Sequence, residues 1–173
     1  IWVGTYYGLN KYEPASDNFS CFEHDRFDLF SLSANRIYAI TEDKAGTIWV
    51  GTFKGGISKI DYRMNRFIYY GYNPLKPGSL SGEVVRTIYK DLKGTLWIGT
   101  DGDGINKYDS KRKFFKHYKH IKGNPAAIGS NSVLWITGDK YGNIWAASGG
   151  GLCKYIPDVD GFKTYRAGEN GLQ

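Results

Sequence analysis

The stretch LWIGTDGDGINKY, residues 96–108, is one of four similar stretches that recur along the chain. The other three are IWVGTYYGLNKY at 1–12, IWVGTFKGGISKI at 48–60 and IWAASGGGLCKY at 144–155. Their tryptophans, Trp2, Trp49, Trp97 and Trp145, are separated by 47, 48 and 48 residues. A regular period of this length is typical of a repeat architecture, in which one small structural unit is copied several times.

Aligning the units on tryptophan predicts four short strands, a to d, in each complete unit. Strand a is predicted at 37–41, 85–89 and 133–137, and strand b at 47–52, 95–100 and 143–148. Strand c is predicted at 56–61, 104–109 and 151–156, and strand d at 67–72, 114–118 and 162–165. The first unit keeps b, c and d, at 1–5, 8–12 and 19–22, and lacks strand a. No stretch has the three- and four-residue apolar spacing of a helical repeat.

Three aspartates, each followed three residues later by glycine, mark tight turns between strands a and b. They are Asp43, Asp91 and Asp139. Aspartate accepts hydrogen bonds from nearby backbone amides, and glycine adopts the positive φ that closes such a turn. Gly51 and Gly99, two residues after tryptophan, are expected to let a neighbouring element approach closely. We therefore assign these aspartates, glycines and the four tryptophans to the scaffold.

Four short strands in every 48 residues predict an all-β propeller segment of about four blades. Each blade is expected to be a four-stranded antiparallel sheet, with the first lacking its innermost strand. Strand b is apolar on both faces, as expected of a sheet packed between two neighbours. The segment covers residues 1–173, with blades at about 1–30 (partial), 31–78, 79–126 and 127–173.

Composition and chemistry disfavour an enzyme or a metal site. No Ser–His–Asp set or carboxylate pair stands out, and turn chemistry explains the repeated aspartates. Asp101 and Asp103 resemble the start of a calcium loop, but the closing glutamate is missing. His117 and His120 are expected to point to opposite strand faces. We expect no cofactor, and we expect Cys21 and Cys153 to be small, partly buried apolar residues without a disulfide.

The loops that join b to c and d to a emerge on one face of a propeller, and we place the candidate ligand site there. At the b–c loops the repeats diverge, which a purely structural position does not require. The candidate residues in these loops are Tyr6, Tyr7, Phe53, Lys54, Asp101 and Asp103. Aromatic rings can stack on sugar faces, and Arg86, Lys76, Lys119 and Lys122 can pair with acidic groups. The alternative is that these are ordinary surface residues. The same alternatives apply to the net charge of +6, which favours anionic partners or is only solvated surface.

The pattern V-x-x-I-x-x-D-x-x-G-x-L-W-I-G-T, at Val85–Thr100, continues through Asp109 and resembles the two-component regulator propeller repeat. That family occurs in periplasmic sensor regions of bacterial hybrid two-component systems. The resemblance implies a non-catalytic, periplasmic sensor that recognises an oligosaccharide and relays binding to a membrane-linked kinase outside this chain. Ala147-Ser148 in place of Gly-Thr is a departure from the pattern. The alternatives are a propeller-type lyase acting on a polysaccharide or macrolactone, or a protein-interaction scaffold.

The first unit begins inside the repeat, so we expect the chain to be a fragment. An open arc of blades would leave large apolar faces in water at both ends. We therefore expect the arc to continue in the parent sensor, or to be completed by a second copy of the chain. No nucleic-acid partner is expected.

Overall fold

The structure, a computed structural model, describes residues 1–43, 45–61 and 66–168. The strands of the first two sheets are β1 (Trp2–Gly4), β2 (Leu9–Glu13), β3 (Asn18–Phe22), β4 (Ile37–Glu42), β5 (Ile48–Thr52), β6 (Ile57–Asp61) and β7 (Arg66–Tyr70). Those of the last two sheets are β8 (Val85–Lys90), β9 (Leu96–Thr100), β10 (Ile105–Asp109), β11 (Phe114–Tyr118), β12 (Val133–Gly138), β13 (Ile144–Ser148), β14 (Gly151–Ile156) and β15 (Gly161–Tyr165). A short 3₁₀ helix, Pro157–Val159, precedes β15.

The strands form four antiparallel sheets, each connected in sequence order, and the all-β propeller prediction is confirmed. The first sheet has three strands, and the other three have four each. The predicted strands agree with the observed ones to within two residues at their ends. Strand β8 packs against both β4 and β12, so the first strands of the three complete blades lie side by side along the inner edge. The predicted end of the fourth blade, residues 169–173, lies outside the described residues.

The core lies between the blades. One cluster joins Trp97, Ile105 and Tyr118 of the third blade to apolar residues of the fourth, such as Ile144 and Phe162. Equivalent clusters join the second blade to the third and the first to the second. All five residues of β5 and of β9 are buried, as the sequence predicted for sheets covered on both sides. In β1 and β13, which belong to the first and fourth blades, several residues are partly exposed.

Two glycines permit the close approach of the next blade. A Cβ atom on Gly51 would lie 2.6 Å from Cγ1 of Val85, and one on Gly99 would lie 2.7 Å from Cγ1 of Val133. Both valines begin the innermost strand of the following blade. Any side chain at these glycines would therefore push two blades apart.

Each turn aspartate also holds the tryptophan of its own blade. Asp91 Oδ1 accepts hydrogen bonds from the backbone amides of Lys93 and Thr95, and its Oδ2 accepts one from Trp97 Nε1 at 2.9 Å. Asp43 and Asp139 do the same with Trp49 and Trp145. The sequence predicted the turn but not the bond to the indole. The Asp–x–x–Gly turn and the tryptophan of the same blade thus form a single hydrogen-bonded unit.

The loops between strand d and the next strand a bind one blade to the next. Each has 14 residues and carries one apolar side chain that is almost completely buried: Leu32, Leu80 or Ile128. The backbone amide of Phe115 in β11 donates to the carbonyl of Gly78 in the preceding loop. Nearer the inner edge, Ser81 N donates to Asn106 Oδ1 of strand β10. The loop therefore packs across the following blade, from the outermost strand of that blade toward its inner edge.

The two cysteines occupy different environments. Cys153 is buried, and its sulfur accepts a hydrogen bond from Gly129 N of a d–a loop, at 3.3 Å. Cys21 is exposed beside Asn10, so the expectation that it would be partly buried is wrong. The adjacent Phe22 packs against the second blade, so Cys21 lies on the opposite face of the first sheet. Both thiols are free.

Candidate ligand-binding face

The b–c loops and the first residues of strands β4, β8 and β12 form one surface, which we call the loop face. The connection is direct at each blade. Phe53 N donates to Arg36 O, Asp101 N donates to Val84 O, and Gly149 N donates to Ser132 O. These bonds hold the b–c loop of each of the three four-stranded blades against the residue just before strand a, so side chains from both segments meet at the inner edge.

An aromatic cluster lies where the first blade meets the second. The guanidinium of Arg36 lies 4.7 Å from the ring centre of Tyr6 and 4.9 Å from that of Phe53. The ring of Tyr38 packs edge-on against Phe53 at 5.8 Å. Tyr6 is 64 % exposed and its neighbour Tyr7 is 81 % exposed. Two of the predicted residues, Tyr6 and Phe53, are thus joined through an arginine that the sequence analysis did not select.

A polar cluster lies where the third blade meets the fourth. Asp101 accepts a hydrogen bond from Arg86 Nη2 at 2.6 Å and one from Ser132 Oγ at 2.8 Å. These two bonds, that from Arg86 first, lower the pKa of the Asp101 carboxyl. Arg86 Nε is buried and has no hydrogen-bond partner among the described residues. Arg86 and Asp101, both predicted, therefore form an ion pair with one donor unused.

Lys54 stands at a strained backbone position on this face. Its φ is +60°, and the equivalent residue of the third blade is Gly102, with φ +95°. A left-handed conformation costs a lysine roughly 1 kcal/mol more than a glycine. Asp17, Lys113 and Asp160 have similar positive φ values, but they lie in turns between strands c and d. The Lys54 ammonium lies 5.4 Å from the ring centre of Phe53 and extends the aromatic cluster.

The remaining predicted residues lie apart from these two clusters. Asp103 pairs with Lys119 at 3.5 Å, so both carboxylates of the calcium-like loop have a protein cation beside them. Lys76 and Lys122 are exposed in the part of the d–a loops that packs near the outermost strands. Among the described residues, neither lysine side chain is ion-paired with a residue of the aromatic or the polar cluster.

The two histidines considered for a metal are bonded to backbone carbonyls. His117 Nε2 lies 2.7 Å from Ser79 O, and His120 Nδ1 lies 2.8 Å from Ile128 O. Within residues 1–43, 45–61 and 66–168, no three His, Cys, Asp or Glu side chains gather as metal ligands would.

The sequence analysis missed Arg36, Tyr38 and Ser132. Arg36 and Ser132 precede strand a at equivalent places, where the third blade has Val84. Tyr38 is equivalent to Arg86 and to Leu134. The signal was available, because the repeats diverge here as strongly as in the b–c loops. It was overlooked because Tyr38 was assigned to strand a, and because Arg36 and Ser132, one residue before that strand, were assigned to no element.

The repeats match a known family. Residues 31–54 and 79–102 match the model of the two component regulator propeller. These two segments carry the two-component regulator propeller repeat. Each matched segment of these repeats runs from the end of a d–a loop through strands a and b into the b–c loop, so it includes the turn aspartate and the tryptophan.

Solved structures show the same fold. The extracellular domain of a putative hybrid two-component system from B. thetaiotaomicron is 28 % identical, with a TM-score of 0.78 over 95 % of this propeller chain and 22 % of that one. The extracellular domain of a putative one-component system from the same organism is 24 % identical, with a TM-score of 0.76 over 97 % of this chain and 24 % of that one. Virginiamycin B lyase from Staphylococcus aureus is 15 % identical, with a TM-score of 0.66 over 93 % of this chain and 49 % of that one.

The propeller chain spans about a quarter or less of the two extracellular domains and about half of the lyase. Among curated protein sequences, none matches it. Within the described residues, no helix is long and apolar enough to cross a membrane.

Proposed function

We propose that this propeller segment is part of a periplasmic sensor and that its loop face binds an oligosaccharide without catalysis. The observation that carries the proposal is the contrast between blades. Scaffold positions repeat from blade to blade, whereas the loop face replaces Tyr6 and Phe53 by Asp101 and then by Gly149. A surface that served only the fold would not need a different side chain in each blade.

The chemistry of the loop face suits a sugar with an acidic group. The exposed rings of Tyr6 and Tyr7 provide flat surfaces on which sugar C–H groups can stack. Arg36, Lys54 and Arg86 supply cations, of which Arg86 is already paired with Asp101. Arginine favours carboxylate and sulfate groups because its planar fork can donate two parallel hydrogen bonds.

Signalling would follow from differential binding. A ligand that prefers one arrangement of the propeller and its neighbouring domains shifts the population toward that arrangement. In the parent protein the shift would reach a membrane-linked kinase. The similarity to an extracellular domain of a hybrid two-component system supports this role.

Calorimetric titration with a panel of neutral and acidic oligosaccharides tests the proposal. Arg36→Ala, which separates the rings of Tyr6 and Phe53, is expected to weaken binding of the best ligand by about tenfold. Tyr141→Ala is the matched control, because Tyr141 is an exposed aromatic residue on the opposite edge of the blades. Turnover of a panel member would favour the lyase alternative. Failure of every sugar to bind would favour the interaction scaffold.

The variant Lys54→Gly tests whether Lys54 serves ligand binding or only the fold. It introduces the residue found at the equivalent place in the third blade, so it should stabilise the fold by roughly 1 kcal/mol while weakening an acidic ligand. If the variant gained stability and bound every acidic sugar unchanged, Lys54 would have no part in the site.

The proposal also includes a partner for the outer blades. Trp135 of the fourth blade is 62 % exposed and Val3 of the first is 41 % exposed, although the equivalent Thr87 and Val50 are buried against neighbouring blades. Further blades of the parent sensor, or a second copy of this chain, would cover these faces. Light scattering of the purified chain tests the second copy, since a strictly monomeric chain with a sharp unfolding transition contradicts it.

A further inference from the structure

A basic groove lies on the edge of the blades opposite to the loop face. It has a volume of about 640 Å³ and lies between the turn ends of the second and third blades. Its apolar part includes Trp49, Leu96, Tyr108 and Phe114, of which Phe114 is 41 % exposed. Lysines and one arginine make up most of its charged lining: Lys90, Lys93, Lys107, Lys111, Arg112 and Lys116.

The two carboxylates of the groove are already engaged. Asp43 accepts hydrogen bonds from its own turn amides and from Trp49 Nε1. Asp109 accepts from the backbone amides of Lys111 and Arg112, and its carboxylate lies 3.8 Å from the Arg112 guanidinium. The two carboxylates can offset only two of the six cations, so the lining keeps a net positive charge.

The lysines of the groove differ in the partners that they already have. Lys107 donates to Tyr155 and Lys116 pairs with Asp160, so both are directed toward the fourth blade. Lys93 and Lys111 form no ion pair with a described carboxylate, and both are exposed. Lys90 interacts electrostatically with Asp43. The ammonium groups of Lys93 and Lys111, together with that of Lys90, thus line a groove whose floor is apolar.

Three of the basic residues, Lys90, Lys93 and Arg112, have no basic equivalent in the second or the fourth blade. The strand c to strand d turn of the third blade reads Ser110-Lys-Arg-Lys113, where the second blade has Tyr62-Arg-Met-Asn65 and the fourth has Pro157-Asp-Val-Asp160. Lys90 is equivalent to Glu42 and Gly138, and Lys93 to Ala45 and Tyr141. The turn itself does not require lysine, so these three cations are not explained by the repeat, whereas Lys107 recurs as Lys59 and Lys154, and Lys111 corresponds to Arg63.

We propose that this groove binds a small organic anion, with a ring packed on Tyr108 and Phe114 and a phosphate, sulfate or carboxylate group held by Lys93 and Lys111. The volume is in the range of pockets that take small molecules. Paired lysines attract an anionic group, and an apolar floor favours a flat ring. A ligand with both features should therefore bind more tightly than a ligand with only one of them. The site is independent of the loop face, which lies at the other edge.

Calorimetry or chemical-shift titration of the full chain with three probes tests the chemistry. The probes are p-nitrophenyl phosphate, which has both features, inorganic phosphate, which has only the charge, and p-nitroanisole, which has only the ring. The first is expected to bind at least about tenfold more tightly than either of the others. Equal binding of p-nitroanisole, or no binding of p-nitrophenyl phosphate at about 5 mM, would overturn the proposal. Replacing phosphate by sulfate or carboxylate on the same ring then identifies the preferred group.

A matched pair of double variants tests the location. Lys93→Ser with Lys111→Ser is expected to weaken p-nitrophenyl phosphate by about tenfold or more. Lys140→Ser with Lys163→Ser removes two exposed lysines from the fourth blade and gives the same net charge, so it should leave affinity within about twofold. Equal losses in the two variants would mean that only net charge attracts the anion, and would overturn the assigned site. The four substituted lysines are solvent-facing, and near-ultraviolet circular dichroism confirms that each variant is folded.

Discussion

The third and fourth blades share one scaffold and use the same turn in opposite ways. Lys113 and Asp160 both adopt a left-handed conformation at the end of the turn between strands c and d, with φ of +52° and +45°. In the fourth blade, Asp160 reaches back and accepts hydrogen bonds from the hydroxyls of Tyr118 and Tyr155, each at 2.6 Å. In the third blade, the same turn is basic and borders an open groove. A repeat therefore fixes the path of the backbone, while each junction between blades selects its own side-chain chemistry.

The largest expected effect comes from the two tryptophans at equivalent places in these blades. Trp97 is 1 % exposed within the core between them, whereas Trp145 is only partly buried. Trp97→Ala should lower the free energy of unfolding by about 4 kcal/mol, and Trp145→Ala by about half as much. Urea unfolding followed by circular dichroism measures both. Equal losses would show that Trp145 is covered in solution, which a second copy of the chain would explain.

A smaller effect is expected where the fourth blade departs from the repeat. A Cβ atom on Gly99 would lie 2.6 Å from Thr87 Cγ2 as well as close to Val133, so Gly99→Ala should destabilise the fold by about 2 kcal/mol. Ala147 occupies the equivalent place in the fourth blade, and Ala147→Gly should change stability by less than about 1 kcal/mol. Thermal unfolding of the two variants gives the comparison. A harmless Gly99→Ala would contradict the close packing of the third blade on the fourth.

Much of this scaffold follows from the sequence, because it depends on local rules repeated four times. The turn at Asp91, the close approach at Gly99 and the doubly buried strand around Trp97 each result from residue type and spacing. The contacts between blades do not follow, because they join residues that are far apart in sequence. Asp160 with Tyr118 is one example, and Arg36 between two rings is another. Divergence among the repeats locates the loop face, but it does not predict which side chains of that face contact each other.

The next smaller effect tests the junction at Asp160. Asp160→Asn keeps a residue that tolerates the left-handed conformation but removes the charge that Lys116, Tyr118 and Tyr155 share. We expect a loss of about 1 kcal/mol in the free energy of unfolding, because one neutral acceptor replaces a charged one. Asp158→Asn, in the same turn and exposed, serves as the control and should have no measurable effect. An unchanged Asp160→Asn would mean that the junction relies on apolar packing alone.

The smallest effect is the pH dependence of the stability that this junction contributes. The contribution of Asp160 is lost as pH falls, whereas that of the two tyrosines is lost as pH rises. Burial disfavours the ionised form of Asp160, but the hydrogen bonds from Lys116, Tyr118 and Tyr155 outweigh it and lower the pKa of the carboxyl. Its contribution to stability is thus complete above the ordinary aspartate pKa of about 3.9 and is lost as pH falls through the lower, folded-state pKa.

The tyrosines provide the matching test at high pH. Burial, with the hydrogen bond to Asp160, raises the pKa of Tyr118 and raises that of Tyr155 to about 12. Their contribution is complete below the ordinary tyrosine pKa of about 10 and is lost as pH rises through the raised values. Unfolding midpoints measured from pH 2 to 12 should therefore fall at both ends. Asp160→Asn should flatten the acid side relative to the parent chain, since no carboxyl remains there to protonate. An acid side identical in the two proteins would show that other aspartates with lowered pKa, such as Asp139, govern acid stability and that the Asp160 junction does not.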